Sequence, residues 1–383
     1  QGDAMSHAQL EAVLARSRVV VCCGAGGVGK TTTSAALAVA AARSGRRVLV
    51  LTIDPAKRLA QAMGIPENAA QPTPLTPELQ RAAGITTGRL DAWMLNPRVV
   101  FDSLVNRLSP SRESTERILR NRIYKALCDQ VAGMQEYTAA EALYEFSTSG
   151  RYDLIVLDTP PSRNALDFLE APRKISRFLD EKVVSLFMPS GEPSRFSLMR
   201  KAGALIGNVF EKVFGDQFFR DLQDFTGAFS GMFAVMRRHS EEVRALLSSE
   251  QATFLLVTSP EQAALEEARY FRGKLAELGL PFGGFVLNRT WVRADGLSHP
   301  SEHRPAADAP EALRDAWATL EKFAEQELVL GKRDAALLAE LQSELAVGRG
   351  FALAVPHLGE AVADVPGLSR LAHALAPGIV PAP

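Results

Sequence analysis

RVVVCCGAGGVGKT, residues 18–31, is a β-branched run that breaks into glycines and closes on a lysine and a threonine. Its first half, Arg18 to Cys23, reads as a buried strand, since Val suits a pleated, packed surface. Its second half, Gly24 to Thr31, fits G-x-x-x-x-G-K-[ST]. Glycines in such a loop let successive backbone N–H groups turn inward as a concave anion nest. An Ala-rich pattern then predicts a helix from about Lys30 to Arg43, whose positive N-terminus would face the same anion. Phosphate contacts therefore fall to Gly26, Gly27, Val28, Gly29, Lys30, Thr31 and Thr32. Lys30 would meet the β and γ phosphates, and the Thr31 hydroxyl would ligate Mg²⁺. The alternative is a chance Gly-rich turn, against which stand the strand before it and the helix after it.

Working outward, Arg47 to Thr52, Leu90 to Leu95, Asp153 to Asp158, Phe254 to Thr258, Phe282 to Leu287 and Phe351 to Val355 read as further strands. Most are near-continuous apolar runs, the pattern of a parallel sheet covered on both faces. Helices are expected at about 261–278, 311–347 and 368–375. Strands alternating with helices predict a doubly wound, mostly parallel α/β fold. Two stretches interrupt it: about 99–148 and 168–250 read as an α-helical insertion. Residues 5–383 are then a single domain. Gln1 to Ala4, ahead of Met5, resemble a cleaved-tag scar and are set aside. Residues 290–308, rich in Pro and His, read as a loop.

Composition narrows the function classes. A formal net charge of −1 gives no global reason to expect nucleic acid as a partner. Three cysteines in 383 residues exclude a disulfide scaffold and suit a reducing compartment, so a cytoplasmic location is expected. No apolar run approaches the roughly 18 residues of a membrane span. Cys22 and Cys23, adjacent in a strand, would point to opposite faces as buried thiols. Cys128 also reads as core. His299 and His303 have a metal-compatible spacing on a helix, but Pro300 and Pro305 favour a solvated loop. Arg112, Arg117, Arg120, Arg122 and Lys125 read as a solvated helix face.

Two carboxylates at strand ends carry candidate chemistry. Asp158 could hold Mg²⁺ through water, or simply cap a turn. Asp54, followed by Pro55, could orient an attacking water, or cap the helix starting near Ala56. Nine Phe and four Met fall between Phe187 and Met236, at helical spacing. They suit either a packed core or an adaptable apolar groove.

Together these stretches resemble the ArsA/Get family of P-loop ATPases, the arsenical-pump ATPases and tail-anchored-protein targeting factors. GAGGVGKTTT is similar to the family's GKGGVGKTT. Leu51 to Leu59 (LTIDPAKRL) resembles its first switch, and Leu157 to Asn164 (LDTPPSRN) stands where its second switch stands. Asn288 is similar to its adenine-reading Asn, and Val355-Pro356 to its Pro-containing loop near the base. The resemblance implies an ATP- and Mg²⁺-dependent hydrolase with Asp54 and Lys30 as catalytic residues. Asp158 would hold Mg²⁺ with Thr31, and Asn288 and Pro356 would hold the base. It implies a homodimer, or a heterodimer with a paralogue. It also implies a helical client groove, assigned to Leu205, Val209, Phe210, Phe229, Met232 and Phe233, for an apolar membrane-protein segment. Ala25 replaces the family's signature lysine, Arg163-Asn164 replace Gly-His, and the zinc-binding C-x-x-C is absent. Three readings stay open: a targeting factor, a subunit driving an arsenite or anion efflux pump, and a non-hydrolysing nucleotide-binding subunit.

Overall fold

The computed structural model describes residues 2–53, 58–67, 69–122, 124, 125, 128, 134–160, 216–292, 299–345, 350–359, 362 and 364–379. Eight strands form one sheet: β1 (Val19–Cys23), β2 (Arg47–Thr52), β3 (Thr73–Pro74), β4 (Arg89–Met94), β5 (Leu154–Asp158), β6 (Ala252–Thr258), β7 (Phe282–Thr290) and β8 (Phe351–Pro356). Their order is β3-β4-β2-β5-β1-β6-β7-β8. Every neighbouring pair is parallel except β3 with β4. β1 is central, flanked by β5 and β6, so the loop that leaves it opens at the middle of the carboxyl edge, where ligands bind in open α/β sheets.

The helices are α1 (Gly2–Arg16), α2 (Lys30–Arg43), α3 (Arg58–Met63), α4 (Pro77–Ala82), α5 (Pro97–Leu108), α6 (Arg112–Arg120), α7 (Met134–Thr148), α8 (Asp216–Leu247), α9 (Gln262–Glu277), α10 (Glu311–Leu345) and α11 (Val365–Leu375). Alternation along the strands sorts them into two layers. Val20, Cys22, Val48 and Val50 face a cluster built with Leu10 and Leu14 of α1, the alanines of α2, and Leu368, Leu371 and Leu375 of α11. Val19, Val21, Cys23, Leu49 and Leu51 face the other way. There they meet Leu143 and Phe146 of α7, Val243 of α8, Phe271 of α9 and Leu338, Leu341 and Leu345 of α10. The adjacent cysteines thus lie on opposite faces, as expected, and burial pushes both thiols up, that of Cys23 to about 12.

A third cluster joins α5, α6, α7 and α8 through Phe101, Leu104, Ile118, Tyr137, Phe225 and Met236. Beside it Glu141, 1% exposed, accepts from Arg107 at 3.2 Å and lies 3.0 Å from Nδ1 of His239. The Tyr137 hydroxyl donates to the same carboxylate at 3.3 Å. A buried carboxylate needs such partners to offset its lost hydration. Burial and this acidic neighbour push the Tyr137 phenol well up.

Several boundaries differ from the sequence expectation. The helix expected at 368–375 starts at Val365, because the Asp364 side chain accepts from Gly367 N and Pro366 suits the first turn. β7 runs on to Thr290, inside the expected loop, because Thr290 bonds Val355 O through its hydroxyl and His357 N through its carbonyl. Pro300–His303 in that loop is a 3₁₀ turn. Residues 311–345 are one 35-residue helix. α1, α4 and β3 carry no expectation, α3 corresponds to the helix expected from near Ala56, and α1 takes in Gly2 to Ala4, which were set aside. No helix among the described residues is long and apolar enough to cross a membrane.

Leu341, 0% exposed, anchors α10 to the sheet. Leu341→Ala is expected to lower stability by about 2–5 kcal/mol, the cost of a buried cavity. Urea denaturation followed by far-UV circular dichroism reads this; a loss below about 1 kcal/mol contradicts the packing of α10 onto the sheet.

Candidate functional site: the loop after β1 and the cleft beside it

The glycines of the β1–α2 loop answer specific constraints. Gly24, at φ 153°, packs so closely that a Cβ would lie 2.0 Å from Val257 O. Gly29 caps α2 at φ 93°, and a Cβ there would lie 2.3 Å from Nδ2 of Asn288. Both the left-handed backbone and the close approach require glycine. Thr33 N donates to Gly29 O at 2.9 Å, so Lys30, Thr31 and Thr32 occupy the first turn, whose N–H groups have no carbonyl one turn back in the helix. No side chain caps this end. Gly26 and Gly27 are exposed, and Val28 is buried beneath them. Lys30, 6% exposed, folds back and donates to Ala25 O at 2.7 Å.

Asp158 ends β5 fully buried. Its Oδ2 accepts from the Thr31 hydroxyl at 2.7 Å and from the Thr52 hydroxyl at 2.8 Å. The next residue, Thr159, ties β5 to β1 by donating its hydroxyl to Cys22 O at 2.8 Å. Thr31 and Asp158, 127 positions apart in sequence, are thereby brought together as a hard-oxygen pair at the carboxyl edge, the donor type that Mg²⁺ takes. Thr52 is the member of this cluster that sequence reading missed. Its signal was its place at the last position of a strand, two residues before Asp54. Asp54 itself lies outside the described residues.

Beside the loop opens a cleft of about 310 Å³ lined by Gly29, Thr32, Asn288, Arg289, Pro356 and His357, among others. Asn288 and Pro356 thus meet at one place, sharing Gly29 and Thr32 with the phosphate loop. Asn288 donates Nδ2 to Val28 O at 2.8 Å. That holds one Nδ2 hydrogen, leaving Oδ1 and the second Nδ2 hydrogen to present to a ligand. Arg289 and His357 were not singled out from sequence; they flank Asn288 and Pro356 directly. Of the proposed groove residues, Leu205, Val209 and Phe210 lie outside the described residues. The side chains of Phe229 and Phe233 on α8 are also outside them. Met232 is buried in the α5–α8 cluster. The second-switch residues beyond Pro160 are outside as well. Among the described residues no three potential ligands of the His, Cys, Asp and Glu types cluster, and His299 bonds Ser301.

The family profile of the anion-transporting ATPases matches residues 17–296, nearly three-quarters of the chain. The chain belongs to that family. Among its curated relatives, a protein of Aquifex aeolicus whose name assigns it provisionally to an arsenical pump is 23% identical over 257 residues, 66% of this chain and 58% of the relative. An ATPase ASNA1 homolog of Paramecium tetraurelia is 27% identical over 270 residues, 70% of this chain and 73% of the relative. ATPase ARSA2 of Chlamydomonas reinhardtii is 30% identical over 270 residues, 70% of this chain and 66% of the relative. The chain therefore spans between about half and three-quarters of these relatives' lengths. In this anion-transporting ATPase family member, the position of the resemblance's signature lysine is Ala25, a methyl group packed against the α2 side of the core.

Thr52→Val removes one of two hydroxyls on a buried carboxylate while keeping shape. It is expected to cost about 1.5–3 kcal/mol, the worth of a hydrogen bond to a charged group. Chemical denaturation measures it, and unchanged stability would place the Asp158 charge on other partners.

Proposed function

We propose that this chain binds ATP with Mg²⁺ and hydrolyses it, and that the nucleotide state sets the helical layer of α5 to α8 to receive an apolar membrane-protein segment. The observation that carries the nucleotide part is the convergence of Thr31 with Asp158 at 2.7 Å, continuous through Gly29 and Thr32 with the Asn288–Pro356 cleft. The donor set fits the ion: one hydroxyl and one carboxylate, both hard oxygens, with room in the coordination sphere for water.

Lys30 and the first-turn amides of α2 stabilise the charge that develops on the transferred phosphoryl group. Thr31 and Asp158 would hold the metal, Asp158 through water. Neutralisation of phosphate charge is what Mg²⁺ supplies when bound. Asp54 orients the attacking water. Asn288, with one Nδ2 hydrogen on Val28 O, offers Oδ1 as an acceptor. An acceptor suits the exocyclic amine of adenine and opposes the carbonyl of guanine. A symmetric dimer is the assembly this reading takes, with nucleotide supplying part of the interface in place of a zinc clasp.

A second reading, driving an arsenite or anion efflux pump, is favoured by the name of the Aquifex aeolicus relative. Hydrolysis stimulated by arsenite but not by an apolar peptide selects it.

For the nucleotide part, ATP is expected to displace a labelled nucleotide at lower concentration than GTP. Lys30→Ala should weaken ATP binding. Asp54→Asn should leave ATP bound and slow hydrolysis by ~10²-fold or more, the range of general-base loss. Parental turnover in the Asn variant returns Asp54 to a helix cap. For the client part, a hydrophobic peptide of about 20 residues, one membrane span, should bind in one nucleotide state only. Replacing both Phe229→Ser and Phe233→Ser should abolish that binding with ATP affinity unchanged. Equal peptide binding with and without nucleotide contradicts the switch.

A further inference from the structure

The fully buried Asp334 sits on α10, apart from the phosphate loop and its carboxylate. Its Oδ2 accepts from the backbone N–H of Trp291 at 2.8 Å. Its Oδ1 accepts from Nε of Arg333 at 2.9 Å and from the guanidinium NH2 at 2.7 Å. Burying a carboxylate is costly, and this one uses one of its oxygens on the main chain of a residue just past β7. Gly331, one turn earlier on α10, lets the helix approach: a Cβ there would lie 2.7 Å from Trp291 O. Two features of α10 thus bear on the main chain of the same residue, Trp291.

The end of β7 needs such fixing. Its register with β8 shifts between Leu287 and Thr290, and Arg289 takes a left-handed φ of 60°. That conformation is strained for a side chain of this size. Trp291 follows directly. Its indole stacks on the His357 imidazole with ring centroids 5.3 Å apart and planes 10° from parallel. His357 is bound in turn by its own backbone N–H to Thr290 O at 2.8 Å, and its Nδ1 accepts from Gly359 N at 3.1 Å. His357 and Gly359 both line the cleft that holds Asn288 and Pro356.

We propose that Asp334 is a positioning residue for the nucleotide base, acting through Trp291 and the stacked His357, which is the cleft's base-contacting wall. This rests on the reading of that cleft as a base site. The carboxylate does not touch the ligand. It sets where the indole stands, the indole sets the plane of the imidazole, and the imidazole completes the wall opposite the fixed amide of Asn288. Residues 297–383 lie beyond the family match, so both Asp334 and His357 come from the part of the chain that the profile does not reach.

The test compares ATP with inorganic tripolyphosphate, which carries the phosphates without base or ribose, by calorimetry on the full chain. The parent should bind ATP more tightly than tripolyphosphate. Asp334→Ala, Trp291→Ala and His357→Ala should each lower ATP affinity by about tenfold, the upper end of what an aromatic contact supplies. Tripolyphosphate affinity should stay within about twofold. Trp291→Phe keeps the backbone donor and a ring, and Asp334→Asn keeps an acceptor; both should recover part of the loss. His357→Ala alters a cleft wall and not the core, so it holds the test if Asp334→Ala does not fold. An unchanged ATP-to-tripolyphosphate ratio in His357→Ala overturns the proposal, as does an equal loss of both ligands in all three alanine variants. A parent that binds the two ligands equally removes the base cleft itself, a different failure, and the proposal goes with it.

Discussion

A carboxylate with no contact with water must be held by donors, and at the centre of this sheet that requirement falls on Asp158. Among the described residues two hydroxyls bond it, Thr31 from the first turn of α2 and Thr52 from the end of β2. The bond to Thr52 locks β2 against β5 at their carboxyl ends, and the bond to Thr31 locks the start of α2 above them. Thr159 adds the link from β5 to β1. The phosphate loop is therefore no free turn between a strand and a helix: its exit is fixed to a charge carried by β5 and also bonded from β2. The glycines then act within a frame that is already set. Gly24 clears Val257, and Gly29 clears Asn288.

That second contact joins the proposed phosphate and base sites in one structure. Asn288 reaches the loop through Val28 O, so the amide proposed to read a base and the backbone proposed to cradle phosphates share a hydrogen bond. A change at Gly29 acts on both. Ala25 marks a different boundary of the site. Its methyl group belongs to the core, and the Lys30 ammonium bonds its carbonyl. The charge at this loop therefore comes from Lys30, with no second cation at position 25.

The sheet was legible because its strands are buried on both faces and so read as unbroken apolar runs; β1, β2 and β5 differ from expectation by at most one residue. The helix after the loop was legible to the residue because Gly29 and the chain turn at Ser44 bound an alanine-rich run. α1 was missed because its apolar residues Leu10, Val13 and Leu14 are few and sit among polar ones, and only their contact with α2 and α11 reveals their role. β3 is a two-residue edge that no periodicity can mark. In the site, the contiguous motif was readable and the convergent residues were not. Trp291, Asp334 and His357 have no local pattern and Thr52 only its place at a strand end, and each acquires its role from a partner 43 to 106 positions away or on another strand. The assignment of Asn288 rested on resemblance; its bond to Val28 O places its side chain beside the loop.

Sequence distance has a consequence for how the chain reaches this state. The loop at residues 24–31 leaves the ribosome early, but Val28 waits 260 positions for Asn288 and Asn288 waits further for Pro356 and His357. At about 5–20 residues per second, the first interval alone lasts on the order of 13–50 s. Contacts of such long range form late and slowly. During synthesis the nascent chain thus carries a glycine-rich loop without the amide that packs against it. The central strand β1 also waits for β6, which is 233 positions downstream in register. A nucleotide that engages both loop and cleft binds only the finished arrangement, and so would favour completion of the sheet's β6–β8 half over partly folded forms.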